Sequence, residues 1–139
     1  MTGPVLLDTN VVSELVKPRP NAHVVAFINA QAEPLLSVIT LHELTWGAER
    51  TADPARRSRL VAWIATMRAR FVGRLVDVDA DIAERAGRLR AAAAASGHVV
   101  EAIDSLLAAS AVSRGARVAT RNVRDFQPLG IALVDPWAG

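Results

Sequence analysis

Five short apolar runs punctuate the chain: "PVLL" (4–7), "PLLSVI" (34–39), "RLVDV" (74–78), "ARVAT" (116–120) and "IALVDP" (131–136). No two of them are joined by a turn of hairpin length, and the first four read as strands, the last as a fifth strand or an extended tail. The runs are apolar throughout rather than alternating, as strands covered on both faces should be. Helix-forming segments fill most of the gaps. "VVSELVK" (11–17) is stopped by "PRP" (18–20), and Asn21 caps a second helix with Val24, Val25, Phe27 and Ile28 inward. Residues 40–50 begin T-x-x-E, a capping box in which Thr40 caps and Glu43 reaches back. Residues 53–71 carry Asp53 as cap and Pro54 at the first helical position, and bury Leu60, Ile64 and Met67. Residues 79–96 and 102–115 each end at glycine. "NVRDF" (122–126) is predicted as a turn. This alternation predicts an α/β fold, a three-layer α/β/α sandwich around a central, mostly parallel sheet of four to five strands.

The 139 residues suffice for one domain, taken as 1–139, and are too few for two cores. With 51% hydrophobic and 22% charged residues the chain is globular rather than disordered. No segment reaches the ~20 apolar residues of a membrane span, and the first apolar run is cut at Asp8 with no basic region before it, unlike a signal peptide. A cytoplasmic protein without membrane contact is expected. Cysteine is absent, which excludes disulfides, thiolate metal sites and cysteine nucleophiles. The net charge is +2, and arginine supplies it almost alone, Lys17 being the one lysine. Genome bias accounts for that preference, so the charge balance permits a nucleic-acid partner without requiring one.

In open parallel sheets ligands bind beyond the carboxyl ends of the strands, which directs attention to the residues after Leu7, Ile39, Val78 and Ala119. Asp8 follows the first strand, Glu43 starts the helix after the second, and Asp125 lies in the turn after the fourth. Asp104 opens the helix leading into the fourth strand. Each has a local alternative: Asp8 as a helix cap, Glu43 in its capping box, Asp104 as a first-turn acid favoured by the helix dipole, Asp125 in an Asx turn. Caps do not explain why four acids meet at one edge. Carboxylates a few Å apart repel unless a cation neutralises them, and an all-oxygen set suits Mg²⁺ or Mn²⁺. Zinc is disfavoured, because His23, His42 and His98 are dispersed.

The segments "LLDTNVVSEL", "SVITLHEL", "DSLLAASAVSRGARVATRNVRDF" and "IALVDPW" resemble, in order, the motifs of PIN-domain ribonucleases, in particular the VapC/FitB toxins of bacterial toxin–antitoxin pairs. The likeness runs from Val5 to Trp137 and implies a PIN-like sandwich. By position the family's acidic set falls on Asp8, Glu43, Asp104 and Asp125, and the accompanying polar residues on Asn10, Thr120 and Asn122. The resemblance implies Mg²⁺-dependent cleavage of RNA (Mn²⁺ as substitute), with Asp8, Asp104 and Asp125 as metal ligands. Glu43 would position water or accept its proton, and Asn10, Thr120 and Asn122 would position water or phosphate. It also implies a homodimer, a small cognate antitoxin, and contact with DNA only through that antitoxin.

Alternatives are a PIN-fold nuclease acting on DNA and a non-catalytic PIN-fold binding module. A phosphatase of the haloacid-dehalogenase type is disfavoured, since its D-x-D start would need an acid where Asn10 stands. Outside the site are left His42, which as the neighbour of Glu43 on a helix faces elsewhere, the loop residue His98, and the arginines Arg56, Arg57, Arg59, Arg121 and Arg124. Trp46 and Trp63 have helical spacings that suit the core or a subunit interface.

Overall fold

The structure is a computed structural model that describes residues 3–138. β1 (Val5–Leu7) leads into α1 (Thr9–Ser13), prolonged by a 3-10 turn at Glu14–Val16, and α2 (Ala22–Ala30). β2 (Leu36–Ser37) runs straight into α3 (Val38–Glu49), followed by α4 (Pro54–Arg70) and β3 (Leu75–Val76). Then come α5 (Ala80–Ala95), α6 (Ala102–Ser113), β4 (Arg117–Ala119), α7 (Val123–Phe126) and β5 (Leu133–Val134), with 3-10 turns at Gln127–Leu129 and Pro136–Ala138.

Every strand pairing is parallel. The ladders form a three-stranded sheet in the order β1-β4-β5 and a two-stranded sheet of β2 and β3. A single bridge, Leu6 to Leu35, joins them, carried by Leu7 N–H to Leu35 O at 3.0 Å and Leu35 N–H to Val5 O at 2.8 Å. The spatial order is therefore β3-β2-β1-β4-β5, but the single sheet of four to five strands that was expected is divided into three and two by a seam between β2 and β1. Its cause is local. Past Leu35 the chain turns into α3 at Val38, so the strand expected over 34–39 shrinks to two residues and no second bridge to β1 forms.

The period of two along the strands divides the core into two layers. Leu6, Leu35, Val76 and Val118 point to one side, where Ile82, Ala86 and Ala93 of α5 and Leu107 and Ala108 of α6 meet them. Val5, Leu7, Leu36 and Ala119 point to the other, against Val11, Val24, Ile28, Met67 and Phe71 from α1, α2, α4 and its C-cap. These are the outer layers of the expected sandwich. Helix boundaries follow the cap chemistry. Asn21 accepts from the backbone N–H of His23 and Val24, and Asp53 from that of Ala55. Gly97 closes α5 at φ 86°, a left-handed conformation that favours glycine, letting His98 N–H return to Ala93 O at 2.9 Å.

Three local expectations fail. Ser37, not Thr40, caps α3: its hydroxyl accepts from Ile39 N–H at 3.0 Å, while Thr40 is fully buried inside the helix. The capping box is therefore absent, and Glu43 sits a turn deeper than expected. "NVRDF" is a short helix rather than a turn. On α4, Met67 is buried but Leu60 and Ile64 are only half-buried. Among the described residues no helix is long and apolar enough to cross a membrane.

Candidate active site

In the order β3-β2-β1-β4-β5 the strand sequence reverses direction between β1 and β4, a switch point, and in open parallel sheets ligands bind outside the carboxyl ends of the strands at such a point. Asp8 and Thr120 are the first residues past those two ends. Asp8 N–H donates to Ala119 O at 2.9 Å and Thr120 N–H to Val134 O at 3.0 Å, fixing both backbones in continuation of the ladders.

The Asp8 carboxyl is 6% exposed. It accepts from Thr9 N–H at 2.7 Å through Oδ1, and through Oδ2 from the Thr120 hydroxyl at 2.8 Å and Asn10 Nδ2 at 3.1 Å. Asp8 is thus the cap of α1 and the centre of a polar network at once; the two readings of this residue are not exclusive. A carboxylate offers about four lone-pair sites, so three donors leave it one direction for a further electrophile. Burial raises the Asp8 pKa above 3.8, the hydrogen bonds of Thr120, Thr9 and Asn10 pull it back, and the charge of Glu43 pushes it up.

Thr9 connects Asp8 to the acid on the other side of the seam. Its hydroxyl donates to Glu43 Oε1 at 2.6 Å and lies 3.3 Å from the Thr40 hydroxyl. In sequence Thr9 looks like filler between Asp8 and Asn10. Its signal was the requirement that a half-buried glutamate on a neighbouring helix find a donor. Asn10 is a crosspiece: Nδ2 reaches Asp8, and Oδ1 accepts from Arg121 N–H at 3.2 Å. The Thr120 hydroxyl also accepts from Asn122 N–H at 2.9 Å. The exposed Asn122 side chain makes no cap bond, so Asn122 enters the network through its backbone alone.

Asp104 lies in the first turn of α6, half-buried. Because α6 precedes a parallel strand, its N-terminus stands at the same edge as the ends of β1 and β4. Burial and then the charges of Asp8, Asp125, Glu101 and Glu43 push its pKa up to about 6. Asp125 is exposed on α7, the outermost of the four. Glu101, which the sequence did not single out, adds to the same negative field. Among the described residues the only ion pair is Lys17 with Glu14, at 3.0 Å, so no basic side chain neutralises these acids.

All four sequence-predicted acids therefore share one electrostatic site. They do not form a ready-made cage: among the described residues no group of three is close enough to hold an ion as it stands. The donor chemistry nonetheless fits a hard divalent cation, being all oxygen, unneutralised and partly desolvated. Other residues fall outside. His42 is exposed, Arg57 donates to Thr51 O at 3.2 Å, and Trp63 is half-buried against the α2–α4 layer. Trp46 is 58% exposed with the Arg50 guanidinium 4.1 Å from its ring centroid, so it is not a core residue.

Fold and site together define an α/β protein with an acidic edge at the switch point of a parallel sheet. The chain belongs to the PIN domain family, which it matches over residues 5–129. It is 38% identical over 138 residues to the VapC ribonuclease Y4jK of Sinorhizobium fredii, covering 96% of this chain and 97% of that one. It is 32% identical over 139 residues to the toxin FitB of Neisseria gonorrhoeae, covering 96% and 98%. Among solved structures it superposes on the FitAcB complex of N. gonorrhoeae with a TM-score of 0.91 at 32% identity, covering 96% and 98% of the two chains. The DNA-bound VapBC complex of Salmonella typhimurium gives 0.81 at 31% identity, covering 96% and 98%.

Proposed function

We propose that this PIN-domain chain is a Mg²⁺-dependent endoribonuclease, the toxin half of a toxin–antitoxin pair. The observation that carries the reading is the set of acids around Asp8 that no basic side chain neutralises, at the switch-point edge where such sheets bind ligands; burial first and then these charges lift Asp104 to about 6. A surface used only for binding has no need of such repulsion. The likeness to a ribonuclease and to the toxin chains of antitoxin complexes supplies substrate class and partner.

In this reading Asp8, Asp104 and Asp125 hold Mg²⁺, with Mn²⁺ as a substitute. When bound, the cation lowers the pKa of attacking water and offsets charge on the phosphate and leaving group. Thr9, Asn10 and Thr120 fix Asp8 and leave one of its lone-pair directions for the cation. Glu43, steadied by Thr9, takes the proton of the attacking water. Water oxygen bonds to phosphorus while the bond to the 3′ oxygen breaks. The electron pair leaves on that oxygen, which takes up a proton. The products are a 3′-hydroxyl and a 5′-phosphate. Thr120 holds Asp8 and presents the Asn122 backbone at the rim. The chain acts as a homodimer and is silenced by a small antitoxin, through which it reaches DNA.

The test is cleavage of unfractionated bacterial RNA by the purified chain with MgCl₂ or EDTA, comparing wild type with Asp8→Asn. That variant retains an oxygen acceptor for Thr9 N–H and so keeps the α1 cap. Loss of at least ~100-fold in rate is expected for the variant, and EDTA should stop the wild type. Cleavage that survives EDTA, or full activity of Asp8→Asn, rejects the mechanism.

A further inference from the structure

Arg121 follows Thr120 at the end of β4, and its backbone N–H is pinned to Asn10 Oδ1 at 3.2 Å. Its side chain is exposed. A guanidinium one residue from a buried acid network has an obvious electrostatic destination, yet Arg121 pairs with none of the acids. Instead its guanidinium carbon stands 5.1 Å from the centroid of the Trp137 ring, within cation–π reach. Trp137 is itself held: it lies in the 3-10 turn Pro136–Ala138, packs against the α2–α4 layer of the core, and donates its N–H to Asp135 Oδ1 at 2.9 Å.

The guanidinium makes this contact without a hydrogen bond or ion pair to any described residue. Its N–H donors lie in the plane at the edge and stay available to a bidentate oxyanion. The ring also biases an otherwise loose side chain towards one orientation, by about two- to fivefold for an exposed cation–π contact. Two uses are thereby kept apart: the acids remain open to a cation, and the arginine to an anion. An RNA strand approaching the edge that carries the four carboxylates meets repulsion, and a fixed positive group on the residue after Thr120 relieves it.

We infer that Arg121, clamped by Trp137, binds a backbone phosphate flanking the scissile bond of single-stranded RNA, with Trp137 as its positioning residue. The inference rests on the ribonuclease reading above. Its probe is a mixed-sequence, nuclease-resistant phosphorothioate RNA 12-mer with a 5′ fluorophore. Binding to the full chain in MgCl₂ is followed by anisotropy over a KCl series. Arg121→Ala should weaken binding about tenfold, one charge-assisted contact, and flatten the slope of log affinity against log salt by about 0.7. Arg88→Ala, which removes the same charge from the exposed face of α5, should change neither beyond twofold. Trp137→Leu should weaken binding about threefold and add nothing in the Arg121→Ala background. Arg121→Lys should keep the salt slope but weaken binding, because an ammonium point charge lacks the bidentate fork. If Trp137→Leu fails to fold by circular dichroism, the exposed Arg121 variants carry the test alone. Binding and slope unchanged in Arg121→Ala, or a Trp137→Leu effect that persists in its absence, overturns the assignment. Wild type that cleaves unfractionated RNA while Arg121→Ala behaves as wild type sinks this inference alone. Wild type inert towards RNA sinks both.

Discussion

Asp104→Asn should make the cation-free protein more stable at neutral pH while abolishing its activity. In the folded chain the Asp104 pKa is raised from 3.8 to about 6, first by burial and then by Asp8, Asp125, Glu101 and Glu43. Between about pH 4 and 6 the folded state therefore holds a proton that the unfolded state has released. Stability falls as pH rises through that window, and the penalty is complete above it. The full shift corresponds to at most about 3 kcal/mol, and partial exposure of the side chain reduces this to about 1–2 kcal/mol. The asparagine forgoes the attraction of a first-turn carboxylate for the helix dipole, about 0.5 kcal/mol. Burial and repulsion together outweigh the dipole, leaving a net gain of about 1 kcal/mol, or roughly 3–5 °C in Tm for a chain of this size. The assay is thermal unfolding by circular dichroism in EDTA from pH 4 to 8. The variant should melt above wild type at pH 7.5, and the two curves should converge near pH 4. Adding MgCl₂ should raise the wild-type Tm more than the variant's, because the cation relieves a repulsion the variant lacks. A variant that melts below wild type at pH 7.5 in EDTA, or equal Mg²⁺ shifts in both, would show that the acids do not act as one field.

Two further substitutions probe the scaffold around the site. Thr120→Val removes the donor to Asp8 Oδ2 and the acceptor of Asn122 N–H at a fully buried position. It should cost about 1–3 kcal/mol in urea unfolding and, by raising the Asp8 pKa further, move the acid limb of the rate profile to higher pH; an unmoved limb would dissociate Thr120 from Asp8. Ser37→Ala should lose about 1 kcal/mol, the worth of a helix cap. A wild-type Tm in that variant would mean that Ser37 does not hold the start of α3.

The four acids were legible because two periodicities fix them: apolar runs locate the strands, and parallel topology locates the edge at which their ends meet. What was not legible depended on side chains that meet only in three dimensions. Thr40 and Glu43 have capping-box spacing, and nothing local reveals that Ser37 takes the cap first, freeing Glu43 for Thr9. Asn122 was grouped with Asn10 because both accompany acids in the motif. Only the fold shows that the Asn10 side chain spans Asp8 and Arg121 whereas Asn122 contributes a backbone N–H. The "NVRDF" segment is too short for helical periodicity to declare itself, and its last residue, the buried Phe126, anchors the helix only through the core it enters. Arg121 looked like any loop arginine, since its ring partner lies sixteen positions away and stacks on it only after β4 and β5 have paired.

The seam between β1 and β2 partitions the acids unequally. Asp8, Asp104 and Asp125 stand on or beside the three-stranded sheet, whereas Glu43 rides on the helix that follows β2. One backbone bridge, the Thr9 hydroxyl, the packing of α3 on α1 and α6, and two core layers that each draw on both half-sheets set the distance between Glu43 and the other three. Glu43 is therefore held at its distance from the three aspartates by side-chain packing and one hydroxyl more than by a strand ladder.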